Sequence, residues 1–342
     1  MTKERILKYV EIFKYKYLPR LQKLKRYYDA NNDKIMGKVY KDLTLPNNKQ
    51  PHSWADYVSQ ISTQFFIGSP VTYNAKDTNM LSELNAIFKY NDEITTNNTL
   101  ALNESIYGYS VELIYLDEQS NIRFADIEVE NTILIFDNTV EKNLLYAIRF
   151  FEETDILTNE KVMSVELYSE TDISYFTEIE GVLTLTDIQL HYFKNVPVNV
   201  YKNNIDCKGD FEKVISLIDG YDVLQSTSLD ENESFREAYL VFKNTNLDEE
   251  SIINAKETRN IVIEDSENGM PSSVDFLVKN GNPVESETNK QRIENDILKF
   301  TFISDMSSAG QKSHTSSFGA QLSMLGLFQV MTRKQALFRK AL

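Results

Sequence analysis

Near both ends of the chain apolar residues recur at the 3.6-residue period of a helix, and through the middle they alternate with polar ones as in strands. In residues 3–28, Ile6, Val10, Phe13, Tyr17, Leu21 and Leu24 fall on one helical face, which predicts a long helix interrupted or kinked at Pro19. Lysines and arginines crowd its other side. Such a face touches nucleic acid or an acidic neighbour, or is simply solvated, and solvation is the commoner case. Residues 31–51 read as a polar connection with a short extended piece around Val39 and Tyr40. Ser53, Trp54, Ala55 and Asp56 have capping-box spacing and open a helix with Trp54, Val58, Ile61 and Phe65 on its apolar face, ended by Gly68 and Pro70. An extended stretch at 71–74 and helices over 79–89 and 93–107 follow, the last stopped at Gly108.

Strand alternation takes over next. Val111, Leu113 and Tyr115, then Ile133 and Ile135, alternate sides, with turns at 117–121 and 137–139. Residues 163–167, 173–175 and 182–185 continue the pattern, Glu180 and Gly181 forming a tight turn, so that the region reads as one antiparallel meander. A helix over 211–237 is expected next, capped by Asp210, with Val214, Leu217, Tyr221 and Leu224 on its period. After it come the apolar stretch 238–242, a helix over 248–257, a strand at 260–264, a turn at 268–269 and a strand at 274–279.

The last 57 residues read as helix, polar loop, helix. Ser286 is placed to cap the first, with Ile293, Ile297, Phe300 and Ile303 on one face. The loop around Gly310 is small and polar and is expected to be mobile. Leu322, Met324, Leu325, Phe328, Met331, Leu337 and Phe338 make the second helix apolar around much of its circumference, which predicts that it is largely enclosed.

Charge changes this picture. The chain has a formal net charge of −15, yet no Asp or Glu follows Asp305, and Lys312, Arg333, Lys334, Arg339 and Lys340 give the tail five positive charges. Arg339 and Lys340 answer the dipole of a helix C-terminus; Lys312, in the loop, does not. The acidic remainder argues against a protein that coats DNA by neutralising phosphates, though not against one that surrounds DNA without gripping it. With 342 residues there is room for two or three domains and a sizeable core. Nineteen Tyr and nineteen Phe against eleven Gly suit sheet and large contact surfaces. There is no apolar run of membrane-spanning length and no signal peptide, so a soluble, cytosolically made protein with no membrane partner is expected. Cys207 is alone and forms no internal disulfide. His52, His191 and His314 have no metal-ligand spacing. Glu152, Glu153, Asp155, Glu178 and Glu180 sit on polar faces and in turns with no neighbouring His, which argues against acid–base or metal chemistry. No Walker-type loop or nucleophile elbow is present, so neither an enzyme, a metal nor a cofactor is expected.

Several stretches, in order, resemble the portal proteins of tailed bacteriophages of the siphophage type. Residues 62–73 and 106–118 look like the N-terminal half of that family, and 122–141 with 145–151 like its strand-rich wing. The most specific likeness is the proline segment at 197–204 followed by Gly209, Asp210, Phe211 and Glu212 leading into a long helix. The resemblance implies an α+β portal fold: a wing over 1–209, a first stem helix over 210–237, a clip over 238–285, a second stem helix over 286–305, a tunnel loop over 306–318 and the start of a long wing or crown helix over 319–342. Family members usually continue beyond that helix into a crown, which this chain is expected to lack.

The resemblance also implies the function. A homo-oligomeric ring, twelve-fold in assembled capsids of the family, would occupy one capsid vertex of the virion after assembly in the host cytoplasm. Double-stranded DNA would pass along its axis without sequence-specific contact. Gln311, Lys312, Ser313, His314, Thr315 and Ser316 are the candidate DNA-facing residues, by position against the family's tunnel loop; the bland reading is a surface linker. Acidic residues of the clip, among them Asp248, Glu249, Glu250 and Glu257, are either a docking surface or a solvated exterior. The implied partners are the terminase large subunit, which would supply ATP hydrolysis, the scaffolding and major capsid proteins, and the head-completion or neck proteins. The competing reading is another virion ring component, such as a neck adaptor or baseplate protein.

Overall fold

The long N-terminal helix yields to Pro19 in the turn before the proline. Lys3–Ile12 (α1) and Leu18–Tyr28 (α2) are joined without a break by Phe13–Tyr17, whose backbone is π-helical. Pro19 has no N–H and its ring crowds the preceding turn, which widens until the Leu18 N–H donates five residues back to Phe13 O. The expected apolar face is otherwise kept: Ile6, Val10, Phe13, Leu21 and Leu24 are buried, and Tyr17 is half exposed. On the basic side Lys14 pairs with Glu152, Arg20 with Glu212, Lys25 with Asp29 and Arg26 with Asp33, at 2.6–2.9 Å. Much of that face is thus answered by carboxylates of the same chain.

The computed structural model describes residues 1–42, 45–154, 161–235, 240–243, 273–276, 283–304 and 324–342, and it mixes helix and sheet as expected. The chain divides into two compact units: Met1–Asp33, Pro51–Asp219 and Asn295–Leu342 form the first, Lys34–Gln50 and Gly220–Glu294 the second.

In the first unit, helices Trp54–Ile67 (α4), Thr78–Tyr90 (α5) and Glu93–Tyr107 (α6) precede eight strands, β1 (Tyr109–Leu116), β2 (Ile122–Ile127), β3 (Thr132–Phe136), β4 (Leu144–Thr154), β5 (Lys161–Tyr168), β6 (Asp172–Ile179), β7 (Val182–Leu190) and β8 (Val198–Lys202). These make two sheets, where the alternation alone predicted one meander. The first has the order β2-β1-β8 and the second β3-β4-β5-β6-β7, all antiparallel. The split falls after β2: β8 takes the second edge of β1, with Val111 opposite both Ile127 and Val200, and β3, which follows the 3-10 turn Val129–Asn131, pairs with β4 and not with β2. The turn at Glu180 and Gly181 has both φ values positive, 52° and 81°, as a two-residue hairpin loop of matching twist requires.

The buried helical faces also differ from the sequence reading. On α4 the buried residues are Ala55, Val58, Ser59, Ser62, Thr63, Phe66 and Ile67, while Trp54, Ile61 and Phe65 are only partly covered. Four of the seven are small, and α4 packs closely on α6, so the two backbones come near each other at little cost in volume. Ser53 makes no side-chain cap, so the capping box does not form. Asp77, by contrast, caps α5 through the Asn79 and Met80 N–H groups.

The second unit is organised by helix Ile215–Phe235 (α7), whose first turns belong to the first unit. Its buried positions are Val214, just before it, then Ile218, Asp222, Ser226 and Asp230, rather than Leu217, Tyr221 and Leu224. In the second unit the cover over this polar stripe is the polar segment 34–50. Asp230 accepts from Lys38 Nζ (2.5 Å), the Asn48 N–H (2.6 Å), Asn48 Nδ2 (2.9 Å) and Tyr40 OH (3.1 Å), and the Gln50 N–H donates to Ser226 Oγ (3.1 Å). A polar helix face is matched by a polar strap, and the buried groups are satisfied. The extended piece expected near Val39 is not a strand; the strap instead follows a short helix, Asp33–Met36 (α3). Strands Leu240–Lys243 (β9) and Ser273–Phe276 (β10) pair antiparallel, Val274 opposite Phe242, a pairing the sequence pattern did not indicate. The helix and strand expected at 248–264 lie outside the described residues. Helix α8 (Pro283–Thr301) starts three residues before Ser286, which lies inside it with its hydroxyl 3.0 Å from Ser228 Oγ instead of capping it.

Gly108 ends α6 at φ 91°, and a Cβ there would lie 2.1 Å from the Cys207 carbonyl oxygen. At Gly181, φ is 81° but the space is open. Gly181→Ala should therefore cost about 1–2 kcal/mol, the left-handed penalty alone, whereas Gly108→Ala should cost distinctly more. Urea denaturation of the two variants measures the difference, and equal losses would contradict the close approach at Gly108.

Candidate functional site

Residues 209–212 form a joint at which every side chain or missing side chain has a task. Gly209 lets two backbones touch, since a Cβ there would sit 2.3 Å from Ile106 O. The Asp210 N–H donates to Ser105 O (2.8 Å) and the Asn203 N–H to Gly108 O (3.0 Å), stitching the segment to the end of α6. Phe211 is fully buried. Glu212 takes a two-pronged bond from Arg20, Nε to Oε1 at 2.9 Å and a terminal nitrogen to Oε2 at 2.6 Å, and Arg20 also donates to the carbonyls of Tyr107 and Cys207. Burial pushes the Glu212 pKa up, but the Arg20 hydrogen bonds and charge outweigh it and hold the carboxyl below its usual range.

Asp210 does not cap the helix that follows. Its Oδ2 accepts from Lys334 Nζ and from Ser105 Oγ, both at 2.6 Å, and its Oδ1 from Asn203 Nδ2 at 2.9 Å. Lys334 is 2% exposed. It belongs to helix α9 (Leu325–Ala341), whose buried stripe is Leu327, Met331, Lys334 and Phe338, at spacings of four, three and four. Leu325 and Phe328 are about half exposed, so the helix buries one face and is not enclosed. Phe338 packs on Phe66 and Tyr201 with ring centroids 5.3 and 4.6 Å apart, and Phe328 meets Phe65 at 4.9 Å. Part of helix 319–342 as expected from sequence, before Met324, lies outside the described residues.

Glu104 shares this cluster. It is fully buried, and neither carboxylate oxygen has a hydrogen-bond partner. Desolvation raises its pKa to about 8, Lys334 opposing and Asp210 adding to the shift, so at neutral pH it is mostly a neutral acid. Nearby in the same unit, burial raises Glu112 despite bonds from Asn199 and Tyr201, and brings Asp126 up to about 6.

The end of α8 completes the frame. The Phe302 N–H donates to Lys299 O (3.3 Å) and the Ile303 N–H to Leu298 O (3.0 Å), a Schellman ending in which Phe302 occupies the left-handed position at φ 60°. Ile303 folds back onto Leu298, and both are buried, while Phe300, expected on the buried face, is 54% exposed. The Phe302 ring comes within 3.4 Å of where a Cβ on Gly326 would lie. The chain just before residue 305 and the chain just after residue 323 are therefore neighbours.

The candidate residues Gln311, Lys312, Ser313, His314, Thr315 and Ser316, and the acidic set Asp248, Glu249, Glu250 and Glu257, lie outside the described residues. What the structure adds is the frame that holds the flanks of 305–323. One signal for it was present: Lys334 sits in register with Leu327, Met331 and Phe338. Nothing in one sequence says that Asp210, 124 residues earlier, is its partner.

The chain matches the family model for the phage portal protein, SPP1 Gp6-like, over residues 11–342, nearly its whole length. It belongs to that phage portal family. It is also 25% identical over 237 residues to the portal protein of Bacillus phage SPP1, an alignment that takes in 65% of this chain and 46% of that relative. This chain thus matches about half the length of that protein.

Removing Lys334 leaves a buried carboxylate without its charge partner. Lys334→Ala should lower stability by about 3–5 kcal/mol, and pairing Lys334→Met with Asp210→Asn should recover part of the loss. For Glu104, the folded protein keeps a proton that the unfolded chain has already released, so its contribution lowers stability as pH rises from about 4.5 to about 8. Glu104→Gln should therefore raise the melting temperature at pH 8.5, by a stabilisation on the order of a few kcal/mol, with the gain disappearing near pH 4. A gain independent of pH would place the effect elsewhere.

Proposed function

We propose that copies of this chain form a ring at one vertex of a phage capsid, through which double-stranded DNA is packaged and later ejected. The observation that carries this reading is the anchoring of both flanks of residues 305–323. The Schellman ending at Phe302, the neighbouring Gly326 and the Lys334–Asp210 pair support the two flanks of a polar segment that carries Lys312 and His314. Membership of the portal family supports the same reading. In it, residues 1–209 act as wing, 210–237 and 286–305 as stem helices, 238–285 as clip, and 306–318 as the loop that meets DNA.

The mechanism is electrostatic and physical. A channel lined mostly by carboxylates repels phosphate and lets a duplex slide, while Lys312, His314 and the hydroxyls of Ser313, Thr315 and Ser316 make weak contacts that form and release at successive phosphates. Contacts of this kind carry no base specificity. The acidic clip, with Asp248, Glu249, Glu250 and Glu257, docks the terminase large subunit during filling and the neck proteins afterwards. The ring, of twelve copies in the capsid, assembles with the scaffolding and major capsid proteins in the host cytoplasm. ATP hydrolysis belongs to the terminase. Among the described residues no helix is long and apolar enough to cross a membrane.

Negative-stain images of purified protein should show closed rings with a central hole as wide as a DNA duplex. Lys312→Ala combined with His314→Ala should leave ring formation unchanged while reducing the DNA packaged per capsid severalfold. Wild-type protein without rings, or packaging indifferent to both substitutions, contradicts the reading.

A further inference from the structure

The two edges of the five-stranded sheet differ in a way that suits them to each other. At one edge is β7. Its register places Leu185 opposite Phe176, Ile188 opposite Ser174 and Leu190 opposite Asp172, so these three side chains share the sheet face whose centre, Phe176, is buried. Leu183, at the start of that row, is 4% exposed, but Leu185, Ile188 and Leu190 are 39, 54 and 75% exposed. The core face of the sheet therefore runs out past what the described residues cover. Apolar rows of this kind on an open strand edge mark association sites.

At the other edge is β3, which pairs with β4 alone among the described strands. A groove of about 700 Å³ runs beside it, and all five residues of the strand, Thr132–Phe136, line that groove. Successive residues of a strand point to opposite faces, so a cavity touching all five abuts the strand's backbone edge. Tyr9, Ile12 and Tyr17 form one wall and Val200 and Lys202 of β8 another. The charges at the two edges also differ. With Arg20 paired to Glu212, Lys202 and Lys208 against Asp206 leave the groove net basic, whereas Glu170, Asp172 and Asp187 flank the exposed end of β7.

We propose that β7 of one copy lies along the open edge of β3 in the next, filling the groove with Leu185, Ile188 and Leu190 against Ile12, Tyr17 and Phe136. The occupant is a second copy of this chain because the two surfaces are complementary in shape class and charge and lie on opposite edges of one sheet. Two unlike patches on one molecule make a head-to-tail contact, which closes into a ring when the rotation per copy divides a full turn. The inference rests on the ring reading above and adds the surfaces that would build the ring.

The test uses the full chain and two surface variants, with mass photometry as readout. Ile188→Lys with Leu190→Lys disables β7, and Ile12→Lys with Phe136→Lys disables the groove; these side chains are substantially exposed, and circular dichroism confirms folding. Each variant alone should be monomeric where the wild type forms rings. An equimolar mixture should give dimers and stop there, because one intact β7 meets one intact groove and both remaining surfaces are dead. As a measurement that leaves the apolar surface nearly intact, a Cys207→Ser chain carrying both Ile188→Cys and Phe136→Cys should give a ladder of covalent multimers with a bis-maleimide, and chains with either cysteine alone should give no ladder. Rings that survive both pairs of substitutions, or mixtures that give no dimers, overturn this interface and leave the portal reading standing. A wild-type chain that forms no rings overturns both.

Discussion

The arrangement of the first unit depends on a buried ion pair. Lys334 and Asp210 are both nearly out of water, and taking two charges out of solvent costs several kcal/mol per ion unless the geometry and the remaining hydrogen bonds offset it. Here Ser105 and Asn203 supply those bonds, so the pair holds only while the end of α6, the segment between β8 and α7, and helix α9 are all in place. Three parts of the chain distant in sequence are thereby tied into one node. The same constraint sets the rotation of α9, because Lys334 can reach Asp210 only if Leu327, Met331 and Phe338 face inward with it.

Around that node the tolerances are small. Gly108 and Gly209 occupy positions where a Cβ would collide with backbone, and Arg20 closes the gap between the N-terminal helix and the joint through Glu212 and two carbonyls. Phe302, left-handed where glycine is usual, shows how firmly the end of α8 is specified by its surroundings.

The unit also keeps acids in its interior. Glu104, Glu112 and Asp126 lie on neighbouring elements with their pKa values raised by burial, and Glu93 is buried with Asn97 and Tyr73 as hydrogen-bond donors. Acidic composition is therefore not only a property of the surface. Part of the formal −15 is suppressed inside the fold, since a carboxyl with a pKa of about 8 carries little charge at pH 7.

Local grammar was legible in the sequence: helix α6 and its stop at Gly108, the alternation of the strands, the positive-φ turn at Gly181, and the effect of Pro19 follow from period, missing Cβ or missing N–H. The ordered family likeness was legible too, in Gly209, Asp210, Phe211 and Glu212 above all. What only the tertiary structure decided was which side of each helix is covered and by what. The face of α7 is polar because a polar strap lies on it, the face of α4 is small because α6 must come close, and Lys334 is inside because Asp210 is there to meet it. A single sequence records each residue's own preference, but burial is a relation between two segments, and the partner's identity is fixed only once the chain has folded.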